Sequence, residues 1–366
     1  MHRLMATSTI LEHELSELRL LVERQTGIVL DCPNSALAAH VADYIETQNL
    51  GSSATLLERF RSSDQDPASL PSLLDGLING NTGFFRHPGA FNALARHVVP
   101  QLCARKSADG PSPLRIWSAG CSTGEETYTI AMAVCDALSS IAAGSVNCGN
   151  GANNGSSNGN GKSAARNGGI VDSAPATESG KLSPPLSVHI VGSDLLSHNI
   201  EAADRGVYRQ SALDGLPPAT IRNYFSKISS PAVSSNGPQS ELEDGPPRLG
   251  KNGVSAASQA AAANTGHLLV KPRLRSLVTF NCMNLARPGY IGRFDCIFCM
   301  DVLPHFSRAQ RIALIERLHL YLEPGGYLFL SQTEKLIMSN LNFRSETFDG
   351  YTFHRKPLAA SAAYGR

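Results

Sequence analysis

Ile116-Trp117-Ser118-Ala119-Gly120-Cys121-Ser122-Thr123-Gly124-Glu125-Glu126-Thr127-Tyr128 joins two elements through a run of small residues. Leu114 to Ser118 reads as a strand and Tyr128 to Leu138 as a helix. Small residues between them let the backbone approach a ligand, and a helix start offers free N–H groups. The loop is not a P-loop, because no G-K-[ST] end follows, and it is not a full G-x-G-x-x-G. It places a ligand at the carboxyl end of the first strand.

Charge narrows the ligand. Glu125 and Glu126 at a helix start would repel a pyrophosphate but suit a cofactor carrying an ammonium and a sulfonium, which favours S-adenosylmethionine over a nicotinamide dinucleotide. The same acids also serve as ordinary first-turn helix residues. Asp194 ends a second strand, Val188 to Asp194, where a carboxylate accepts hydrogen bonds from ribose hydroxyls. Its distance from the glycine turn exceeds the ~20 residues usual for such an acid. Removing the tract 144–183 brings the spacing within reach of one helix and two loops.

Further strands are expected at Leu277–Phe280, Phe294–Cys299, Tyr327–Leu330 and Tyr351–His354. A helix is expected at Ser197–Asp204, and another at Ser307–Leu322, stopped by Pro324-Gly325-Gly326. Strands alternating with helices imply a parallel α/β sheet. Upstream, Thr9 with Glu12 forms a capping-box pattern, and Leu11, Leu15, Leu18 and Val22 keep helical spacing up to Gly27. Leu37, Val41 and Ile45, then Leu56, Leu57 and Phe60, then Leu70, Leu73, Leu74, Leu77 and Ile78 mark three more helices. The division is a helical domain over 1–80 and an α/β domain over 81–366, with a linking helix at 87–102. Tracts 144–183 and 229–266 hold Gly, Ser, Asn, Pro and Ala with few large apolar side chains, so both read as disordered insertions dispensable for folding.

Lys plus Arg number 32 against 31 Asp plus Glu, a net charge of +1, which gives no whole-chain footprint for nucleic acid. The start lacks the apolar core of a secretory signal, and no apolar run is long enough to span a bilayer, so a cytoplasmic chain without membrane insertion is expected. Cys296-Ile297-Phe298-Cys299 matches C-x-x-C, but it lies in a strand pattern and reads as buried structural cysteine. No metal is expected.

Four blocks together resemble the CheR family of chemotaxis receptor methyltransferases. Thr82-Gly83-Phe84-Phe85-Arg86 is similar to its T-x-F-F-R, and the stretch around Gly120 to its W-S-A-G-C-S-T-G-E-E-P-Y. Asp194 with Ala202 to Gly206 and Tyr208 resembles its ribose strand and the helix end after it. Phe294–Cys299 with Val302-Leu303 and Leu322–Leu328 resembles its later core. The resemblance implies a Rossmann-like S-adenosylmethionine-dependent methyltransferase sheet behind a small all-α N-terminal domain. It implies protein-glutamate O-methyltransferase activity on the cytoplasmic region of chemoreceptors or a related signalling protein, by a monomer. By position, Thr82 and Arg86 would line the methionine end of the cofactor. Ala119 and Glu125 would contact its backbone and amino group, Asp194 the ribose, and Asn284 and Leu285 the adenine.

Met300, Asp301 and His305 stand where the family has Arg, Asn and Tyr. Met300 and Asp301 are expected against the cofactor, and Arg86 and His305 are the catalytic candidates. Phe84 and Phe85 are expected in an interdomain core. Ser35–Ile45, a basic helix in well-studied members, has no Lys or Arg, and tract 229–266 overwrites most of a small β-subdomain. These departures keep two alternatives open: a cofactor-binding module with impaired chemistry, and a methyltransferase with a different substrate.

Overall fold

The computed structural model describes residues 10–62, 69–75, 77–78, 82–110, 112–147, 187–228, 266–289, 292–336 and 341–358. Helices α1 (Glu12–Thr26), α2 (Asn34–Thr47), α3 (Ser53–Arg61) and α4 (Ser69–Leu74) come first. The cap of α1 differs from the expected one: the Leu11 N–H donates to Glu14, not to Glu12. Thr9 lies outside the described residues. Gly27 ends the helix at φ 76°, a conformation that glycine adopts without steric cost.

The linking segment is α5 (Pro88–Ala93), a π turn (Leu94–Val98) and α6 (Val99–Asp109), longer than the expected 87–102. Pro100 accounts for the π turn: it has no N–H, and its ring clashes with the carbonyl four residues back, so the helix widens there. The sheet strands that follow are β1 (Leu114–Ala119) and β2 (Val188–Asp194), separated by α7 (Glu125–Asn147). Residues 144–147, assigned above to an insertion, belong to α7, because the alanines before them favour continued helix. The rest of that tract, from 148, lies outside the described residues, as do 229–265.

After β2 come α8 (Ser197–Arg205), β3 (Val207–Arg209), α9 (Pro218–Tyr224), β4 (Phe225–Lys227), β5 (His267–Val270) and α10 (Pro272–Arg275). β3, β5 and β4 form a small antiparallel sheet in that order. The small β-subdomain is therefore present, contrary to the sequence reading; tract 229–265 departs from it between two paired strands and does not replace it. Three- and four-residue strands are too short to show alternation, so the pattern was hidden.

β6 (Val278–Cys282), β7 (Phe294–Phe298), α11 (Arg308–Tyr321), β8 (Leu322–Phe329), β9 (Arg344–Phe348) and β10 (Tyr351–Arg355) complete the chain. The large sheet runs β6-β2-β1-β7-β8-β10-β9, parallel from β6 to β8 and antiparallel beyond. Pro324-Gly325-Gly326 lies inside β8, with Gly325 at φ 75° and the register against β7 shifting nearby. β9 was not expected; Asp349 and Gly350, both at positive φ, make the tight turn that pairs it with β10.

Side chains alternate across β1, as strand geometry requires. Leu114 and Ile116 join the core under α5, α6 and α7, whereas Trp117 and Ala119 face a second core shared with α11 and the first three helices. The N-terminal helices thus bury their leucines on the sheet itself. Cys296 and Cys299 are fully buried and far from thiolate character, because burial pushes both thiols up. Phe84 packs edge-on against Tyr208 and Phe225, and Phe85 against Phe91, so both belong to the α/β core.

Candidate active site

The chain winds outward from β1 to β2 and β6, then returns to β7 on the other side of β1. Strand order reverses between β1 and β7, and ligands of such sheets bind at the carboxyl ends beside that switch point. A cleft with about 1070 Å³ of empty space, mouth included, opens there. Its walls come from the segments that follow the strands: Gly120 to Ser122 after β1, Asp194 to Leu196 after β2, Met283 to Leu285 after β6, and Met300 to Val302 after β7.

The glycine loop is shaped for close approach. Gly120 sits at φ 83°, and a Cβ there would lie 2.5 Å from the Val302 side chain. Ser122 also takes a positive φ, of 49°, which is costly for a residue with a side chain. Its N–H donates to Asp194 Oδ2 at 2.9 Å, which holds the turn. Asp194 Oδ1 accepts from the Leu196 N–H and the Asn199 amide, both at 3.0 Å. A carboxylate offers about four acceptor sites. Three are occupied, so Asp194 has room for one further donor, at Oδ2.

Asn284 Nδ2 donates to the Gln25 carbonyl, and its Oδ1 accepts from Ala286, both at 2.9 Å. The Val29 N–H donates to the His305 carbonyl, and Ile28 bridges to Phe306. These bonds hook the end of α1 over the cleft, and Thr26 and Ile28 enter its wall. Periodicity marked that segment only as helix and stop, so sequence reasoning missed it.

At the opposite end, Asp301 stands at φ 60° and accepts from His87 Nε2 at 2.7 Å, with Arg86 Nη2 at 3.4 Å. Burial pushes the Asp301 carboxyl up, but His87 and Arg86 outweigh it, and the net result is below the usual range. His305 titrates below an ordinary imidazole because it is buried, and Asp301 only partly offsets this. Met300 is buried, with its Sδ near the Tyr351 hydroxyl. Glu126 also lines the wall; burial raises its carboxyl to about 8, despite the hydrogen bond from Ser118 at 2.7 Å.

Eight of the ten residues singled out from the sequence line the cleft: Thr82, Arg86, Asp194, Asn284, Leu285, Met300, Asp301 and His305. Ala119 and Glu125 do not. Ala119 is fully buried, because strand alternation turns it into the core beside Trp117. Glu125 is nearly buried and accepts from the Thr123 hydroxyl at 2.7 Å. Its neighbour Glu126 takes the place in the wall. His87 was also missed; only its proximity to Arg86 marked it. Among the described residues no group of three His, Cys, Asp or Glu side chains has metal-site geometry, and no helix is long and apolar enough to cross a membrane.

The donor set fits a nucleoside joined to a cationic amino acid: a carboxylate with one open acceptor site, glycine backbone without side chains, and a wall of acids. A family model described as "CheR methyltransferase, SAM binding domain" matches residues 80–147 and 254–351. Chemotaxis protein methyltransferase 1 of Pseudomonas aeruginosa is 28% identical over 321 residues, covering 87% of this chain and 88% of that protein. Chemotaxis protein methyltransferase 2 of the same organism is 26% identical, covering 91% and 90%. A chemotaxis protein methyltransferase of Vibrio parahaemolyticus is 25% identical, covering 91% and 92%. With the switch-point cleft and its acidic wall, these matches show a methyltransferase domain of the CheR type in this chain, with S-adenosylmethionine as its cofactor.

Proposed function

We propose that the protein transfers a methyl group to glutamate side chains in the cytoplasmic region of a chemoreceptor or a related signalling protein, as a protein-glutamate O-methyltransferase. The observation that carries this reading is the end of the cleft at Arg86. A guanidinium that is 45% exposed stands at the mouth, steadied by Asp301, where an acceptor carboxylate would enter. A guanidinium can orient a carboxylate through paired N–H groups. A glutamate, with a reference pKa of ~4.3, is already ionised at neutral pH and needs no general base. The residues around the mouth suit that: His305 is neutral, Met300 is apolar, and both displace water from the oxygen that must attack.

S-adenosylmethionine supplies the methyl group on a sulfonium, and the protein's part is alignment and exclusion of water. Asp194 would accept one ribose hydroxyl at its open Oδ2 site. Asn284 and Leu285, braced from Gln25, would flank the base. Thr82 and Asp301 would face the amino-acid end. Arg86 would orient the acceptor, and His305 would donate a hydrogen bond to it.

Tritiated-methyl transfer to receptor cytoplasmic fragments, with base-labile counts as the readout, tests this. Counts in the ester fraction that fall at least tenfold in Arg86→Ala are expected. The competing reading, a cofactor-binding module without chemistry, draws on the Arg86–Asp301 contact, which partly neutralises the guanidinium. Tight cofactor binding with no ester counts would establish that reading instead.

A further inference from the structure

Glu126 is the acid of the cleft wall that the function above does not use. It occupies the first turn of α7, four residues beyond Ser122, whose N–H holds Asp194. It is also within electrostatic reach of Arg86 and Asp301. The ribose end and the acceptor end of the cleft therefore bracket it, and the sulfur of a bound cofactor lies between those ends. The only hydrogen bond to its carboxyl among the described residues comes from Ser118. Glu126 is half-buried and lines the cleft.

The groups facing it come from every neighbouring segment. Asp301 after β7 and Glu334 after β8 are like charges, and Arg86 is the opposing one. The Cys121 and Cys299 thiols and the Tyr351 hydroxyl are neutral neighbours, each held above its ordinary range by burial. Glu334 is itself held up by burial while accepting from the N–H groups of Asp301, Leu303 and Ser331. His87 is engaged by Asp301, and His305 stands further along the same wall. Arg86 is already engaged by Asp301 at 3.4 Å, so it only partly offsets the burial and the like charges that act on Glu126.

We propose that Glu126 reads the charge on the cofactor's sulfur: it keeps a proton while the cleft is empty or holds the thioether product, and releases it when the sulfonium enters. The protein then favours the methyl donor over the spent cofactor by an ion pair that only the donor can form. When the methyl group leaves, the sulfur becomes neutral, and Glu126 takes a proton back from water, which weakens the hold on the product. This rests on the cofactor orientation given under the proposed function. Because one proton is released per donor bound, affinity for the donor rises with pH and levels off once Glu126 ionises unaided, near 8.

Calorimetric titration of S-adenosylmethionine and S-adenosylhomocysteine at pH 7, in two buffers of different ionisation enthalpy, counts the protons. The donor should release close to one proton more than the product from the wild-type protein. That difference should vanish in Glu126→Gln, a comparison that also subtracts any contribution from the cofactor's α-amino group. The wild-type dissociation constant for the donor should fall about tenfold per pH unit below pH 7.5, with that for the product flat after the same correction. Equal proton counts for the two ligands, or a difference that survives in Glu126→Gln, would overturn the proposal. If that variant binds neither ligand, the wild-type counts and slopes decide alone. An error in the orientation shows separately, as unchanged product affinity in Asp194→Ala.

Discussion

Asp194 shows how far a single residue could be read. Its position after a strand and its acid class marked it as a ribose acceptor, but its remaining capacity came only from three dimensions, where three N–H donors already engage it. A hydrogen bond to a charged group contributes about 1.5–3 kcal/mol. Asp194→Ala should therefore weaken S-adenosylhomocysteine binding at least tenfold in calorimetry, and unchanged affinity in a folded variant would remove Asp194 from the site. That Glu126 lines the cleft while Glu125 sits behind it, in contact with Thr82, has a similar cause. Both acids were visible as a pair, but which one enters the cleft depends on helix phase at the first turn, and the preceding loop sets that phase through the positive φ of Gly120, Ser122 and Gly124. Asp301 was legible as an unexpected charge. Its partner His87 was not, since 214 positions separate them in the chain.

Elements with long periodic patterns were legible: the helices on either side of β1 and the buried strands β1, β2 and β7 all appear where spacing put them. The strands of the small sheet and β9 did not, because three to five residues of mixed polarity carry no reliable period. Asp295 illustrates what the element scale adds. It sits in a strand buried on both faces, where an acid looks out of place. Its carboxylate meets Arg105 at 3.2 Å, Lys106 at 3.0 Å and the Arg115 N–H at 2.9 Å, which ties α6 to β1 and β7. Removing one partner of a buried ion pair costs about 3–5 kcal/mol, because the charge left behind has no water. Asp295→Ala should lower the free energy of unfolding by that amount in a urea titration. A loss below about 1 kcal/mol would show that Arg105 and Lys106 reach solvent on their own.

At the scale of the whole molecule, the helical and α/β parts share one core, and α1 closes the cleft through Gln25, Ile28 and Val29. Composition suggested a division near residue 80, but it could not show that the first part forms a wall of the site, since hydrogen bonds between distant backbone groups leave no pattern in a sequence. The tracts outside the described residues join this body at places set by the topology. The chain leaves α7 at Asn147 and re-enters before Val188, at the amino end of β2, on the side of the sheet opposite the cleft. Replacing 148–186 by a short Gly/Ser linker should leave both the melting temperature and the cofactor affinity nearly unchanged, because closing a loop costs little more as it lengthens. A drop of more than a few degrees would mean that the tract packs on the body. The second tract starts after Ile228, whose N–H donates to the His267 carbonyl at 3.1 Å, so its two ends stand one hydrogen bond apart. A folded guest with adjacent termini, such as a circularly permuted fluorescent protein, could be spliced in there without prying β4 from β5. Its brightness would then report any event that strains the small sheet, turning the methyltransferase into an optical sensor of its own docking.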